Sequence, residues 1–338
     1  MGLFETIYYL GYRLDKSRKS KDARSLPAKV ISVGNLTTGG TGKTSLVVSL
    51  ARFLSDNGRH VAVLTRGYKG SLPGPALITP EMSAEEAGDE PLMMASKLQG
   101  IPVLKGANRY DAGIYSGTLA RQSNTAPPGL FILDDGFQHW RLKRDLDILL
   151  LSATDPFYLE KLIPVGSLRE PPSAMKRADI IVVSKTMDIP ETFEKEIRKY
   201  NPHAPIYPAW YEAGRVAAQG SGDSYPAEWL RGKEVFAFAG IGEPYSFRQS
   251  LEEAGAVIKG FMEFRDHHMF SESDINRIKK KAKGAWIITT EKDIMRLGKS
   301  FAIASNNGEA GVAGFHYLSV KMRTGQGFFD EVLKRTDV

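Results

Sequence analysis

Residues 30–44, VISVGNLTTGGTGKT, decide how the rest of the chain is organised. The first of them are apolar and β-branched, which predicts a buried strand, and the glycines that follow predict a tight loop. Strand, loop and helix in this order predict a phosphate-binding site, since backbone N–H groups and a helix N-terminus all point at the anion. The helix is indicated by apolar residues at helical spacing after the loop: Leu46, Val47, Leu50, Ala51 and Leu54.

The loop carries the side chains that nucleotide phosphates require. Lys43 is placed to reach the β- and γ-phosphates, and the Thr44 hydroxyl to ligate Mg²⁺. The usual pattern has a further glycine where this chain has Thr37, so a surface glycine turn before an ordinary helix is the alternative interpretation. We assign nucleotide binding to seven consecutive residues, Gly39, Gly40, Thr41, Gly42, Lys43, Thr44 and Ser45.

Composition excludes several classes of protein. The 338 residues, 42% hydrophobic and 25% charged, are typical of a globular protein with two domains. The chain has no cysteine, which excludes disulfides, thiolate chemistry and cysteine-based zinc sites. We find no apolar run of membrane-spanning length and no signal peptide, so a cytoplasmic location fits. The formal charge of +6 favours acidic partners such as phosphates or anionic lipid, whereas no nucleic-acid-binding motif is present and no such partner is expected.

Residues 1–24 form an amphipathic segment with a basic end. Leu3, Ile7, Leu10 and Leu14 recur near helical spacing, and lysines and arginines follow them. Such a helix can lie in a membrane interface. It can equally pack on the body of the protein, and the residues alone leave both interpretations open.

Five further apolar segments predict strands, at residues 61–64, 102–104, 129–133, 147–151 and 179–183. Because helical segments alternate with them, we predict an α/β fold with a doubly wound, mainly parallel sheet of the P-loop NTPase type. Asp134 and Asp135 follow the third of these strands, where carboxylates can ligate Mg²⁺ opposite Thr44.

Other strand and helix ends carry candidate site residues. Arg66 and Arg109 lie at basic strand ends, where open α/β sheets bind ligands. Asp89 is either a helix cap or a general base, and Arg169 and Glu170 lie in a proline-flanked loop. Residues 200–228 lack periodicity and are predicted to form the junction to a second α/β unit.

Nucleotide chemistry of this kind suits a small-molecule kinase, a nucleotide-driven switch, or a synthetase or ligase. Switch ATPases that partition cell components carry a lysine just before the glycine pair, where this chain has Thr38. A second domain with an Asp-His-His loop and basic strand ends favours transfer to a hydroxyl of an anionic acceptor.

Eight motifs, spread over residues 34–293, occur in the order seen in one family. They are GNLTTGGTGKT, TRGYKG, GDEP, LDDGFQH, PVGSLREP, AFAGIGEP, FRDHH and ITTEKD. The chain resembles the tetraacyldisaccharide 4'-kinases (lipid A 4'-kinases). The resemblance implies ATP- and Mg²⁺-dependent phosphorylation of the 4'-hydroxyl of an acylated disaccharide 1-phosphate at the cytoplasmic face of the inner membrane. It also favours the N-terminal helix as an anchor on an anionic membrane surface, while the oligomeric state stays open.

The resemblance further implies residue roles. Asp134 and Asp135 resemble the acidic metal pair, joined by Glu170, and Arg169 is expected near the phosphates. Asp89 resembles the catalytic base, oriented by His267 rather than His268. The remaining candidates for substrate or phosphate contact are Arg66, Tyr68, Asn108, Arg109, Gln138 and His139.

We predict a membrane-interface segment at 1–24, a nucleotide-binding kinase domain at 25–225 and a smaller α/β domain at 226–338. The last helix is free to pack on the first domain. With this boundary, Asp89 and His267 fall in different domains, and domain closure is expected to bring them together.

Overall fold

The computed structural model describes residues 2–68, 70–219, 223–297 and 314–337. It divides into two compact units, each built from separate segments of the chain. Unit 1 comprises Met1–Met82, Met94–Trp210 and Met322–Val338. Unit 2 comprises Ser83–Met93 and Tyr211–Lys321.

The sheet of unit 1 is parallel apart from one edge strand. Its strands lie in the order β8-β7-β6-β1-β5-β2-β4-β3, and only β3 pairs with its neighbour in the antiparallel sense. The strands are β1 (Lys29–Asn35), β2 (Val61–Thr65), β3 (Ala76–Ile78), β4 (Val103–Lys105), β5 (Leu130–Asp134), β6 (Leu146–Ser152), β7 (Ile180–Ser184) and the first part of β8 (Ile206–Ala218).

Strand β1 lies where the strand order reverses. β5 and β2 follow it on one side of the sheet, and β6, β7 and β8 on the other. Ligands of open α/β sheets bind at such a point, at the carboxyl ends of the strands. The loop after β1 is the predicted phosphate-binding loop, so the topology puts it at the expected place.

The helices of unit 1 bury apolar faces against this sheet. In α2 the buried residues are Leu46, Val47, Val48, Leu50, Ala51 and Leu54, the spacing seen in the sequence. The α-helices that lie wholly in this unit are α1 (Leu3–Lys21), α2 (Lys43–Asp56), α5 (Arg109–Gln122), α6 (Glu191–Arg198) and α10 (Phe328–Thr336). Helix α4 (Asp89–Lys97) begins in unit 2, and its residues from Met94 onward belong to unit 1. Phe53 of α2 stacks on Phe329 of α10 at 4.5 Å between ring centroids, so the last helix packs within unit 1.

Unit 2 has its own parallel strands in the order β11-β10-β12-β13. These are β10 (Glu234–Ala239), β11 (Val257–Glu263), β12 (Trp286–Thr290) and β13 (Phe315–Thr324), and β9 (Ser224–Pro226) pairs antiparallel with the second part of β8. Its helices are α3 (Ala84–Ala87), α7 (Pro244–Glu253), α8 (Glu272–Ala282) and α9 (Glu291–Arg296). Buried Phe238, Leu251 and Ile278 lie in its two apolar clusters.

The α/β fold with a mainly parallel, doubly wound sheet is confirmed. Within residues 200–228, the predicted junction, the chain passes from unit 1 to unit 2 between Trp210 and Tyr211, and the segment contains the 13-residue strand β8 and the short β9. Many residues of β8 are only partly buried, so the strand has no apolar run for a periodicity argument to detect. Lys69 of the TRGYKG motif lies outside the described residues.

Within the described ranges, no helix is both long and apolar enough to cross a membrane.

Candidate active site

The predicted phosphate-binding loop joins β1 to α2, as the sequence indicates. Gly42 adopts the left-handed conformation, with φ of 92°, and stands directly before the first turn of α2. Lys43 and Thr44 begin that helix, so their backbone N–H groups lie at its N-terminus, where an anion is stabilised. Gly39 has φ of 134°, a region that side-chain-bearing residues rarely adopt. The loop therefore needs glycine at both positions.

Asp134 and Asp135 lie beside this loop because β5 pairs with β1 in parallel, with Asp134 opposite Val33. Asp134 accepts a hydrogen bond from the Thr65 hydroxyl at 3.0 Å. One Asp135 oxygen lies 3.8 Å from the Lys43 ammonium. Burial acts to raise the pKa of Asp135, but Lys43 and Arg169 more than offset this, so its pKa lies below the usual range.

The proline-flanked loop also reaches the phosphate-binding loop. The backbone of Arg169 donates to the Leu36 carbonyl at 2.7 Å, and Thr38 donates to Ser167 at 2.8 Å. The Arg169 guanidinium contacts both oxygens of Asp135, at 2.9 and 3.0 Å. Arg169 is thus held beside Asp135 and the predicted phosphate-binding loop.

Glu170, which was predicted to join the aspartate pair, is surrounded by hydrogen-bond donors of the protein. Its side chain is fully buried and bonds to both outer nitrogens of Arg177, at 2.5 and 2.8 Å. Gln138 donates to it at 2.9 Å, and the Tyr12 hydroxyl donates to it as well. A buried carboxylate requires such compensation, and these donors occupy both oxygens. Glu170 is therefore held in this loop by donors on both oxygens, and its part in a metal site with the two aspartates stays a prediction.

Two of the candidate contacts make hydrogen bonds within the protein. Asn108 caps α5 by accepting from the backbone of Tyr110 at 3.2 Å. Gln138 bridges Asn35 and Glu170, both at 2.9 Å. These bonds give each amide a local task that sequence spacing does not reveal.

The other candidates lie near the aspartate pair or are exposed. Arg109 is 5% exposed, its charge acts on Asp134 and Asp135, and its Nε has no hydrogen-bond partner among the described residues. Arg66 and Tyr68 are exposed on the loop after β2. Burial, followed by nearby cations including Arg109, lowers the pKa of His139 to about 3; its imidazole is therefore neutral at physiological pH.

Asp89 and His267 belong to the same unit, which corrects the expectation that closure brings them together. His267 Nδ1 lies 3.1 Å from Asp89 Oδ2, and both residues lie in unit 2 because Ser83–Met93 packs with Tyr211–Lys321. The pair is therefore formed inside one unit. His268 instead contacts Asp274, at 2.9 Å, at the start of α8.

Sequence reasoning missed three side chains that hold these groups. Arg177 neutralises Glu170, and Tyr12 of α1 donates to the same carboxylate. Arg296 contacts Asp89 through Nε at 2.7 Å. A signal exists only for Arg296, which follows the TTEKD motif by three residues and so lies one helical turn beyond Asp293.

The oxygen donors of unit 1 suit a hard divalent cation. Thr44 offers a hydroxyl, and the two aspartates offer carboxylates, which is the donor set that Mg²⁺ prefers. Among the described residues, no group of three or more His, Cys, Asp or Glu side chains could hold a metal ion.

Comparison with known proteins gives concordant results. A model of the family described as tetraacyldisaccharide-1-P 4'-kinase, LpxK, matches residues 2–337. The tetraacyldisaccharide 4'-kinase of Pelobacter propionicus is 40% identical over 283 residues, covering 81% of this chain and 75% of that protein. The same enzyme of Geobacter sulfurreducens is 38% identical over 307 residues, covering 89% and 82%.

A solved structure is similar over almost the whole length. LpxK from Aquifex aeolicus in complex with ATP is 32% identical, with a TM-score of 0.74, and the match covers 98% of this chain and 96% of that one. The matched family model and relatives of this identity and coverage establish the relationship. The chain belongs to the tetraacyldisaccharide-1-P 4'-kinase (LpxK) family.

Proposed function

We propose that this protein transfers the γ-phosphoryl group of ATP to the 4'-hydroxyl of tetraacyldisaccharide 1-phosphate. The observation that carries the proposal is the phosphate-binding loop after β1, with Lys43 and Thr44 at the start of α2 beside Asp134 and Asp135. Membership of the LpxK family supplies the acceptor class.

Lys43 and the N-terminus of α2 would stabilise the charge on the transferring phosphoryl group and on its leaving oxygen. Thr44, Asp134 and Asp135 would hold Mg²⁺, which when bound neutralises the phosphate oxygens. The buried guanidinium of Arg109, with its Nε lacking a protein partner among the described residues, would contact a phosphate. Arg169 would do the same from the opposite loop.

Asp89 would act as the general base that takes the proton from the attacking sugar hydroxyl. Its pKa is set by opposing effects: burial raises it, and Arg296 and His267 lower it to below the usual range. The carboxylate is therefore ionised and ready to accept a proton at neutral pH.

We also infer that α1 lies on the membrane that holds the acylated substrate. Leu3, Phe4, Ile7, Leu10 and Leu14 are each more than half exposed on this helix. Their spacing places them on one side, while Tyr8 bonds to the Arg169 carbonyl on the other, at 2.9 Å. An exposed apolar stripe on a helix with a basic end suits the interface of an anionic bilayer, here the cytoplasmic face of the inner membrane.

The proposal is tested by phosphate transfer from γ-labelled ATP to tetraacyldisaccharide 1-phosphate in detergent micelles. We expect labelled lipid with the wild-type protein and at least about a 10²-fold lower rate with Lys43→Met, since a main charge-stabilising group is lost. Chelation of divalent cations should also abolish labelling. ATP hydrolysis without any lipid labelling would contradict the proposed acceptor and favour a nucleotide-driven switch.

A further inference from the structure

Arg296 is an arginine without solvent exposure of its side chain, at the end of α9 in unit 2. Its Nε donates to Asp89 Oδ2 at 2.7 Å, and its Nη1 donates to the Gly240 carbonyl at 2.8 Å and to Asp293 at 3.0 Å. A buried guanidinium is costly unless its donors are used. The contacts with Gly240 and Asp293 are therefore structural requirements, but the contact with Asp89 reaches the proposed base.

The partner carboxylate Asp293 fixes Arg296 in turn. Asp293 is fully buried and accepts from the Thr290 hydroxyl at 2.7 Å and from the Gly240 backbone at 3.0 Å. Nη1 of Arg296 therefore has two fixed acceptors: Gly240 directly follows β10, and Asp293 is bonded to Thr290 at the end of β12. The guanidinium has a defined orientation for this reason. Rigid supporting groups of this kind preserve the geometry of a catalytic side chain.

The contacts to Asp89 are not symmetric between its two oxygens. Arg296 Nε and His267 Nδ1 both approach Oδ2, at 2.7 and 3.1 Å. Among the described residues no hydrogen bond is made to Oδ1. The Asp89 carboxylate is thus held through Oδ2, while Oδ1 is able to accept a proton.

The position of His267 adds a constraint on hydrogens. Its Nδ1 lies 3.2 Å from Arg296 Nη2 as well as 3.1 Å from Asp89. A guanidinium only donates, so Nδ1 either donates to Asp89 or accepts from Arg296, never both. Arg296 and Asp89 therefore compete for one ring nitrogen, and the arginine contacts both members of the pair.

We propose that Arg296 is a positioning residue for the phosphoryl transfer, which holds Asp89 by Oδ2 so that Oδ1 accepts the proton of the sugar hydroxyl. The inference rests on the proposed role of Asp89 as base. Arg296 also supplies charge: burial alone raises the pKa of Asp89, and Arg296 is the largest of the effects that lower it. The other charged or titratable groups around the pair are His267, Asp266 and Asp293, with Glu90 and Lys292 paired beside them at 2.8 Å.

The test compares Arg296→Met, which removes the charge, with Arg296→Lys, which keeps it but loses the planar fork. We expect Arg296→Met to lower kcat about 10²-fold or more, with little change in KM for either substrate. In the pH profile of kcat/KM, the acidic limb of this variant should move to higher pH. Without the Arg296 charge the pKa of Asp89 rises, so Asp89 stays protonated up to a higher pH. Arg296→Lys should also lose kcat while its acidic limb stays near that of the wild type.

Two controls accompany the variants. Arg277→Met removes another unit 2 arginine, one that pairs with Asp274 at 3.0 Å, and should leave turnover near wild type. ATP binding and thermal unfolding of each Arg296 variant show whether it is folded. Should Arg296→Met fail to fold, the kcat of Arg296→Lys decides the question.

The inference is overturned if folded Arg296→Met keeps the wild-type acidic limb and kcat, or if Arg296→Lys keeps the wild-type kcat. Asp89→Asn separates this failure from that of the base assignment. An inactive Asp89→Asn with an unaffected Arg296→Met would sink only the positioning role. An active Asp89→Asn would sink the base assignment itself.

Discussion

Glu170 illustrates how a single buried charge organises its surroundings. Its carboxylate has no exposed surface, and it receives both outer nitrogens of Arg177, whose guanidinium carbon also lies 3.6 Å from the centre of the Phe137 ring. Burial, followed by the Glu170 charge, raises the pKa of Tyr12, which therefore stays a hydroxyl donor to that carboxylate. The residue is thus held from α1, from the loop after β5 and from its own loop.

Removing Arg177 should therefore destabilise the protein strongly. We expect Arg177→Met to lower the free energy of unfolding by about 3–5 kcal/mol, because it leaves a buried carboxylate without its cation. The matched control is Lys195→Met, which breaks an ion pair with Glu191 whose side chains are 69% and 81% exposed; about 0–1 kcal/mol is expected there. Denaturant unfolding measures both, and equal losses for the two variants would contradict this view of Glu170.

The residues of the site differ in how far sequence could predict them. Lys43 and Thr44 lie at the expected start of α2 and the aspartate pair at the expected end of β5, because strand and loop patterns are local in the chain. Arg177 could not be predicted, since it acts through a partner that only the folded structure brings near. For Arg296 the sequence signals the neighbouring Asp293, but not the contact with Asp89, which is 207 residues away. Asn108, a predicted contact, caps a helix in the structure, a task that its residue type also serves.

At the level of elements, the two sides of α1 differ, and each bears on one of the two interpretations that its sequence left open. One side packs: Glu5 is 7% exposed, and Tyr8 and Tyr9 lie against the buried cluster around Phe137 and Phe157. The other side exposes the apolar stripe. The helix therefore packs on unit 1 by one side and exposes apolar side chains on the other, which supports the proposed contact with lipid.

Substituting the stripe should weaken membrane binding without disturbing the nucleotide site. We expect Ile7→Ser with Leu10→Ser to lower binding to anionic vesicles by about tenfold or more, since each buried aliphatic side chain contributes roughly 1.5–3 kcal/mol. ATP binding should not change. Ile114→Ser with Val257→Ser, which removes two exposed apolar side chains outside α1, is the control, and vesicle co-sedimentation is the measurement. Unchanged vesicle binding of the α1 variant would contradict the proposed membrane contact and would leave packing on unit 1 as the role of this helix.

At the scale of the whole molecule, the predicted boundary at 225/226 differs from the two units observed. Unit 2 takes Ser83–Met93 from within the predicted kinase domain, and unit 1 takes the C-terminal segment from Met322 onward. A linear boundary cannot represent units that share the chain in five segments. The insertion of Ser83–Met93 into unit 2 follows from its contacts, because Asp89 bonds to Arg296 and Glu90 to Lys292.

The central claim is that this fold phosphorylates one particular hydroxyl of an acylated disaccharide. The most direct measurement is proton–phosphorus correlation NMR of the lipid product formed with ATP and Mg²⁺. We expect a new phosphate monoester coupled to the proton at the 4' carbon, with the 1-phosphate unchanged. A phosphate on another hydroxyl, a diphosphate at the 1 position, or free phosphate alone would contradict it.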